Sequence, residues 1–486
     1  MGERDDYKFL EIRDAIASIN QKVSLIGVVV EYGFPKKTKG TDCFCTLKIV
    51  DQSYPKPGLS VNVFAEHFGA LPHVALLGDI VQLSHVMMKI HGREVYAVFN
   101  KRSSAFALYD GKDGQSFLPY QAYPKFHPRD LDKKFIMSLR KWVVDFQNDE
   151  DPNDSHNFSL LRELKEGKSV NLACKVVNVQ EFGKDEWIAF LWDGTDTRPN
   201  SLPIRLEDEK DNPLPLHLES LPLSRDKLET FPAMGSVLRV VFDQSIKKYG
   251  LQLLNVSIGE WMKFLNVHIE VHAGIWRGVL TPLTKVRYTP NKDRIVYERQ
   301  SIFERRLQLR NGRIPYWSFP WMSRITVPCD LDISIFLPHS EIDYKDVPFL
   351  TLMDALTYPE VTAKFRCAVR VVAAYPWEGK DFCCSHGIYR LRLTLEDPTA
   401  RIHAYLYGED GEKFFGGYPH ETILTRKLNE LLGVATPTCD DGKETKDDAA
   451  RDPPWVQCCL KSYYLDKSDI WGTRHFRIFG TKVVLA

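Results

Sequence analysis

Residues 39–53 read KGTDCFCTLKIVDQS, and residues 59–68 read LSVNVFAEHF. In the second run, apolar side chains alternate with a mixed set, which is typical of a strand with one buried side. The inward set is Leu59, Val61 and Val63, and the outward set is Ser60, Asn62 and Phe64. The run therefore predicts a half-buried strand whose outer side carries an aromatic ring.

The first run alternates in the same way. Its inward set is Cys43, Cys45, Leu47 and Ile49, and its outward set is Phe44, Thr46 and Lys48. Two neighbouring strands with outward rings, lysine and amide or hydroxyl groups suit the stacking of unpaired bases and contact with their edges and phosphates. The alternative is an ordinary hairpin in which Phe64 packs beneath a loop.

Composition narrows the class of protein. The chain has 486 residues, with 44% hydrophobic and 12% aromatic residues, which predicts two to four folded domains. Its formal net charge is +0, so any attraction to nucleic acid or membrane must be local. Because we find no apolar signal region and no apolar run of about 18 residues, we expect a soluble, intracellular chain with reduced cysteines and no membrane contact.

The same order of strands is predicted three times. The first set has a strand at 23–33, the hairpin described above, a short helix and turn, and strands at 79–90 and 93–100, after a short helix or extended lead-in at 8–20. The second set has strands at 169–183, a hairpin at 186–206, and strands at 235–244 and 249–259. The third set has strands at 363–376, a hairpin at 388–410, a helical stretch at 412–433, and strands at 456–465 and 475–484.

Each predicted hairpin has aspartate at its turn and a hydroxyl residue two positions later. The three copies are Asp51-Gln52-Ser53, Asp193-Gly194-Thr195 and Asp397-Pro398-Thr399. An aspartate there can accept bonds from local backbone N–H groups and fix the register of the hairpin. Coincidence is the alternative, and the recurring strand order argues against it.

Five strands with a helix between the third and fourth form the order of an OB-fold, a small Greek-key barrel that binds ligands across strands two and three. We therefore predict a mainly β protein with three tandem OB-folds and short connecting helices, at 1–145, 150–290 and 346–486. Residues 291–345 are predicted to be an Arg- and aromatic-rich linker packed on its neighbours, since Trp317, Phe319 and Trp321 are costly to expose. The charged loop 439–454 is expected to be flexible.

These stretches resemble the protection-of-telomeres family, in its plant-type form. The matching motifs are GVV at 27–29, KGTD at 39–42, IVDQ at 49–52, ALP at 70–72 and GDIV at 78–81, with weaker matches at WDGT (192–195), around His272 and in the C-terminal DPT…AYL…KFF region. The resemblance implies a nuclear protein at chromosome telomeres whose first two OB-folds bind the single-stranded G-rich 3′ overhang. It also implies that the C-terminal OB-fold docks a telomere- or telomerase-associated protein.

The resemblance also implies DNA contacts. Those in the first domain fall on Lys39, Thr41, Asp42, Phe64, His91 and Tyr96, and those in the second on Phe242, Asp243, His272 and Trp276. Lys48 joins them because it alternates onto the outer side of the hairpin. For Asp42 the alternative is a loop-closing role, and for His272 and Trp276 it is an ordinary core or interface role.

The chain departs from the family in two respects. Several vertebrate members have an aromatic residue where this chain has Glu31 and a tyrosine where it has His91, so the first-domain interface is expected to differ in detail. Vertebrate members also carry paired C-x-x-C zinc ligands in the third domain, whereas here only Cys383 and Cys384 fall near one pair. We therefore predict no metal and no cofactor.

The sequence leaves three functions to compare. The leading one is non-catalytic, sequence-specific binding of telomeric single strands for end protection and telomerase regulation. The others are an RNA or telomerase ribonucleoprotein factor that uses the same face, and an OB-fold scaffold that binds only proteins. An enzyme is not expected, because the chain lacks the phosphate-loop, dinucleotide, zinc-protease and nucleophile-elbow motifs.

Overall fold

A computed structural model of the chain describes residues 7–112, 116–146, 158–182, 186–200, 218, 222–289, 293–308, 339–376, 378–434 and 451–484. The predictions for Trp317, Phe319, Trp321 and for most of the loop 439–454 lie outside these residues. So does the end of the hairpin predicted at 186–206.

The described strands are β1 Lys22–Lys37, β2 Cys43–Val50, β3 Leu59–Ala65, β4 Ile80–His91, β5 Glu94–Phe99, β6 Ala105–Tyr109, β7 Gln121–Ala122, β8 Phe158–Ser159, β9 Ser169–Phe182, β10 Glu186–Trp192, β11 Leu238–Phe242, β12 Trp261–His272, β13 Ile275–Leu280, β14 Lys285–Arg287, β15 Ser340–Ile342, β16 Lys364–Tyr375, β17 Arg390–Glu396, β18 Arg401–Tyr407, β19 Val456–Tyr464, β20 Arg474–Phe479 and β21 Thr481–Val483. The α-helices are α1 Ile12–Ala17, α2 Lys133–Asp145, α3 Arg225–Leu228, α4 Lys247–Val256, α5 Arg294–Gln308, α6 Leu352–Leu356, α7 Glu409–Phe415 and α8 Glu421–Leu431.

The chain divides into two compact units. The first holds Met1–Asp193, Arg239–Glu270 and Arg277–Arg299, and the second holds Gly194–Leu238, Val271–Trp276 and Gln300–Ala486. The residues of the second predicted domain are thus shared between the two units.

Strands β1 to β5 form a ring in the order β1-β2-β3-β5-β4. An antiparallel pairing of β4 with β1 closes it, and β3 runs parallel to β5. Its inward residues on β2 and β3 are buried and its outward ones are half-buried, as the alternation predicts. Of the two alternatives predicted for 8–20, a short helix or an extended lead-in, the structure has the helix, α1. Helix α2 packs on the barrel through Ile136, Leu139 and Val143.

A second ring follows the order β9-β10-β11-β13-β12 and is closed by β12 on β9. Its third strand is β11, which lies in the stretch 235–244 that the sequence predicts as the fourth strand, and its fourth and fifth strands are β12 and β13. The strand predicted at 249–259 is wrong, since most of that stretch lies in helix α4. The reason is periodicity: the buried residues Gly250, Leu253 and Leu254 stand at helical spacing, i, i+3 and i+4.

The C-terminal barrel is closed in the order β16-β17-β18-β20-β19, and β18 runs parallel to β20. Helices α7 and α8 lie between its third and fourth strands, where the sequence predicts a helical stretch. All three strand rings share one order, in which strand five lies between strands three and four. The prediction of a mainly β chain with closed five-stranded barrels of the OB type is confirmed.

A short strand joins the first two rings within the first unit. Strand β14 pairs with β1 on one side and with β12 on the other. Glu31 and Lys263 both lie opposite Arg287 in these pairings. The sheet therefore continues from the first ring into the second.

Two of the three predicted aspartate turns form, at Asp51 and Asp397. At Asp193 the predicted hairpin is wrong, because the third strand of that ring, β11, begins only at Leu238. One carboxylate oxygen of Asp51 accepts bonds from Ser53 Oγ at 2.6 Å and Tyr54 N at 2.8 Å. Asp397 accepts bonds from Thr399 N and Oγ1, each at 2.7 Å. These bonds fix the turn between the second and third strands.

The same aspartates make a longer contact that the sequence does not reveal. The other carboxylate oxygen of Asp51 and of Asp397, and one carboxylate oxygen of Asp193, accepts the backbone N–H of the first residue of a short helix that precedes the strand ring. The donors are Ile12 to Asp51 at 2.8 Å, Leu161 to Asp193 at 2.9 Å and Leu352 to Asp397 at 2.7 Å. Each aspartate thus acts as a remote helix cap.

Candidate nucleic-acid interface

The outer side of β2 and β3 carries the ring that the sequence singles out. Phe64 lies directly opposite Phe44 in the β2–β3 register, and their ring centroids are 4.8 Å apart with planes tilted by 39°. Both rings are half-buried. Strand alternation predicts that Phe44 points outward, and the family resemblance assigns it no DNA contact. The pairing of its ring with that of Phe64 is therefore a feature that only the tertiary structure shows.

A lysine lies over this pair. Lys36 on β1 is opposite Phe44 in the β1–β2 register, and its Nζ is 5.7 Å from the Phe44 ring centroid. A cation held above a ring is attracted by the π face and remains available to a phosphate. The first barrel therefore offers aromatic rings and a positive charge on one surface.

A second row crosses the same surface. Lys48 lies opposite Ser60, and Ser60 lies opposite Tyr96 in the parallel β3–β5 pairing. All three side chains are half-buried. The structure thus brings two predicted contacts, Lys48 and Tyr96, onto one row of the outer face.

The predicted loop contacts lie at the start of β2. Lys39 and Thr41 are exposed. The carboxylate of Asp42 accepts a bond from Lys101 Nζ at 2.9 Å, and Glu66 lies 3.7 Å from the same ammonium. This pairing raises the pKa of Lys101. Asp42 also closes the loop, since its carbonyl accepts bonds from the backbone N–H and hydroxyl of Thr38.

Glu31 stands where several vertebrate members have an aromatic residue. Its side chain is buried and forms two ion pairs. Its two carboxylate oxygens accept bonds from Lys285 at 2.8 Å and Arg287 at 3.0 Å, both on β14. Burial raises the pKa of Glu31, but the hydrogen bonds and charges of these two residues outweigh it and hold the pKa below its usual value. Glu31 therefore stabilises the junction of the first two rings.

His91 lies at the end of β4, opposite Glu94 across the β4–β5 turn. Its side chain is exposed. His91 therefore lies at the tip of the β4–β5 hairpin, which also carries Lys89 and Tyr96. The aromatic pair is on a different hairpin, β2–β3.

Two predicted contacts of the second ring lie at the end of β11. Phe242 is buried, and its ring lies so close to Gly250 of α4 that a Cβ there would sit 2.6 Å from Phe242 Cδ1. Its contact with DNA stays a prediction that this position does not favour, because the ring is part of the core. Asp243 is exposed, and bonds from Ser245 lower its pKa.

The remaining predicted contacts flank the turn between β12 and β13. His272 is exposed at the end of β12. Trp276 on β13 is half-buried, and its indole Nε1–H donates to the carbonyl of Arg198 at 2.6 Å. The rings of these two residues are presented by one tight hairpin.

An aromatic contact joins the first two barrels, and strand alternation did not predict it. Tyr249 on α4 stacks on His73 with centroids 4.7 Å apart and planes at 19°, and its ring lies 6.0 Å from that of Phe68. Burial, assisted by the charge of Lys248, lowers the pKa of His73 to about 4. The contact ties the segment after β3 to the helix of the second ring.

Within the described residues, no group of three or more His, Cys, Asp or Glu side chains is arranged to hold a metal ion. Cys383 is half-buried and Cys384 is exposed.

In the part of the chain that the structure describes, no helix has the length and apolar character needed to span a bilayer.

Comparison with known families and proteins gives matches along most of the chain. The family described as "Telomeric single stranded DNA binding POT1/CDC13" matches residues 3–153, and that described as "POT1A-like, OB fold domain" matches residues 336–469. Protection of telomeres protein 1b of Arabidopsis thaliana is 40% identical over 98% of this chain and 98% of its own. Protection of telomeres protein 1a of the same plant is 37% identical over 99% of each.

More distant matches cover less of the chain or show weaker likeness. Protection of telomeres protein 1 of Homo sapiens is 26% identical over 38% of this chain and 28% of its own length. Among solved structures, fission yeast Pot1 with single-stranded DNA covers 63% of this chain and 96% of its own, at 16% identity and a TM-score of 0.25. A replication protein A heterotrimer bound to single-stranded DNA covers 96% and 94%, at 8% identity and a TM-score of 0.27.

Proposed function

The chain belongs to the protection-of-telomeres family, and on that premise we propose that it binds single-stranded, G-rich telomeric DNA without catalysing a reaction. The observation that carries the proposal is the outer face of the first barrel, where the Phe44–Phe64 pair lies beneath Lys36 and shares the face with the Lys48–Tyr96 row. Its role is telomere end protection, with regulation of telomerase as a consequence of occupying the overhang.

The chemistry of the face accounts for affinity and for choice of sequence. Bases stack on the rings, and lysine ammonium groups contact the backbone phosphates. Hydrogen bonds to base edges come from the outward polar side chains Thr46 and Asn62 and from Asp42. These edges are accessible because a single strand leaves its Watson–Crick groups unpaired.

We assign DNA binding and partner docking to different domains, as the sequence predicts. The first two OB-folds, at 1–145 and 150–290, contact the DNA, with Asp243, His272 and Trp276 as the contacts of the second. The C-terminal OB-fold at 346–486 docks a telomere- or telomerase-associated protein. The protein acts in the nucleus, at chromosome ends.

Competition binding tests the proposal. The purified full-length chain is titrated with a G-rich telomeric single strand, its C-rich complement and a scrambled strand of equal length. We expect the G-rich strand to bind most tightly and the other two to compete poorly. Equal competition by all three would contradict sequence-specific telomeric binding, and binding of none at low salt would indicate a scaffold.

A ribo version of the G-rich strand separates the DNA function from the RNA alternative. The two oligonucleotides differ at the 2′-hydroxyl of each sugar, apart from the methyl of the pyrimidine. We expect the deoxy strand to bind more tightly. Preference for the ribo strand would assign the face to an RNA partner.

A further inference from the structure

A buried charged triad crosses three strands of the C-terminal barrel. Arg370 on β16, Glu396 on β17 and Arg401 on β18 are neighbours in register. Arg370 donates from Nε to one oxygen of Glu396 at 2.9 Å, and Arg401 donates from Nε to the other. Burial raises the pKa of Glu396, but the two guanidinium groups outweigh it and bring the pKa to about 2. The carboxylate is therefore ionised and holds both arginines in place.

The far ends of both arginines bind backbone carbonyls outside the barrel. Arg370 Nη1 donates to the carbonyl of Thr197 at 2.6 Å. Arg401 Nη2 donates to the carbonyl of Gly274 at 3.1 Å. Both acceptors belong to the same compact unit as the barrel. The triad thus reaches the segment after β10 and the turn between β12 and β13.

Further bonds hold the segment after β10. Arg451 donates to the carbonyls of Val372 and Asn200 at 3.1 and 2.9 Å. The indole of Trp455 donates to the carboxylate of Asp196 at 2.8 Å. This fixed segment in turn presents the Arg198 carbonyl that accepts the indole N–H of Trp276.

The turn between β12 and β13 contains two residues with positive φ. Ala273 and Gly274 have φ values of +51° and +74°, as a two-residue hairpin loop requires. Glycine adopts such a φ freely, whereas Ala273 is strained, and strained residues persist where their surroundings hold them. The contact of Arg401 with Gly274 is adjacent to that residue.

We propose that Arg401, held by Glu396 and Arg370, is a positioning residue through which the C-terminal barrel keeps the β12–β13 hairpin in the shape that binds the single strand. The inference rests on the proposed function, because His272 and Trp276 on this hairpin are its assigned contacts. The C-terminal barrel raises affinity by this route without touching DNA. Ordering a binding loop before the ligand arrives removes that cost from the binding step.

The test compares full-length variants. Arg401→Met removes the bond to Gly274, and Arg401→Lys keeps a cation beside Glu396 but lacks the fork that reaches both groups. Arg474→Met is the matched control, since Arg474 of the same barrel donates to carbonyls of Leu356, Glu360 and Val361. Melting temperature, hydrogen exchange of peptides spanning 271–280 without DNA, and affinity for the G-rich strand are measured on each preparation.

We expect Arg401→Met and Arg401→Lys to exchange faster at 271–280 and to bind about ten-fold more weakly, mainly through faster dissociation. Arg474→Met should change neither quantity. Unchanged exchange or unchanged affinity in a folded Arg401 variant would overturn the inference. If Arg401→Met fails to fold, Arg401→Lys decides alone. If the wild-type chain binds no G-rich strand, it is the proposed function that fails.

Discussion

Phe64 and Phe44 illustrate how a residue can be outward and still half-buried. Each ring covers part of the other, so the surface that we propose for base stacking is the side of the pair that faces away from the barrel. The pair also restricts the rotamers of both rings. A preformed aromatic platform binds a base at a lower entropic cost than two independent rings.

Phe64→Ala tests the platform. Loss of one stacking ring should weaken binding of the G-rich strand by about five- to a hundred-fold, since base stacking is worth roughly 1–3 kcal/mol. Loss of the ring pair should also lower the free energy of unfolding by about 0.5–1.5 kcal/mol. Affinity and melting temperature are measured on one preparation. A folded variant with undiminished affinity would rule out the stacking role.

At the scale of elements, the aspartate turns join each barrel to the helix before it. Asp51 serves two purposes, since one oxygen fixes the β2–β3 turn and the other caps α1 at Ile12. Strand register and helix position are therefore set by one carboxylate. Asp397 has the same double role, and Asp193 shares the helix cap, so the remote cap is common to the three strand rings.

Asp51→Ala should destabilise the chain without direct effect on DNA contacts. Leaving the Ile12 and Tyr54 N–H groups without this acceptor should cost about 1–3 kcal/mol. Urea unfolding measures the loss, with Asp14→Ala as the control because Asp14 is an exposed residue in the first turn of the same helix. An unfolding free energy equal to that of the control would contradict the capping role.

The His73–Tyr249 contact should make stability depend on pH. The folded-state pKa of His73 is depressed to about 4 from the ordinary value of 6.5, so the folded chain binds fewer protons than the unfolded chain between those values. The contribution of neutral His73 to the free energy of unfolding is present above pH 6.5 and is lost as pH falls toward 4. Because the ring is partly exposed, we discount the shift and expect a loss of about 1–2 kcal/mol.

His73→Phe isolates that contribution. The phenyl ring keeps a stacking surface for Tyr249 but does not titrate. Urea unfolding of the variant and of the wild-type chain at pH 7 and pH 4.5 gives the difference, and the variant should lose less stability on acidification. Identical losses in the two proteins would show that His73 does not carry the effect.

At the scale of the whole molecule, the charge is balanced and the positive groups are local. The lysines near the aromatic pair are few, so binding should weaken with salt along a shallow slope. A single strand contributes about −0.7 to the log–log slope for each phosphate neutralised. Titration of the G-rich strand between low and moderate salt measures it. A slope that corresponds to about eight or more phosphates would instead require the Arg-rich linker at 291–345 to contact DNA.

The proposed division of labour gives a second whole-molecule prediction. Tyr405 on β18 is a half-buried outward ring on the third strand of the C-terminal barrel, as Phe64 is on the third strand of the first. Tyr405→Ala should leave affinity for the G-rich strand unchanged, whereas Phe64→Ala should reduce it. An equal loss in both variants would extend the DNA contacts to the C-terminal barrel.

The sequence by itself determined the features that depend on near neighbours. Alternation placed Val61, Val63 and Phe64 on their correct sides, and the Asp-x-hydroxyl pattern located the turns at Asp51 and Asp397, because both depend on local backbone geometry. Family motifs predicted the family and, through it, the class of ligand that we propose. The DNA-contact residues stay predictions, although the structure brings Lys48 and Tyr96 onto one row of the face.

Only the tertiary structure decided features that depend on distant parts of the chain. The stretch 249–259 is predicted as a strand, and the structure shows that most of it is a helix whose Gly250 packs on Phe242 of β11. The sequence identifies no partner for Glu31, whereas the structure pairs it with Lys285, 254 residues away. The contact from Arg401 to Gly274 likewise spans 127 residues. The pairing of β14 with β1 and the contact of β18 with the β12–β13 turn bring such partners together, and local periodicity contains no information about either.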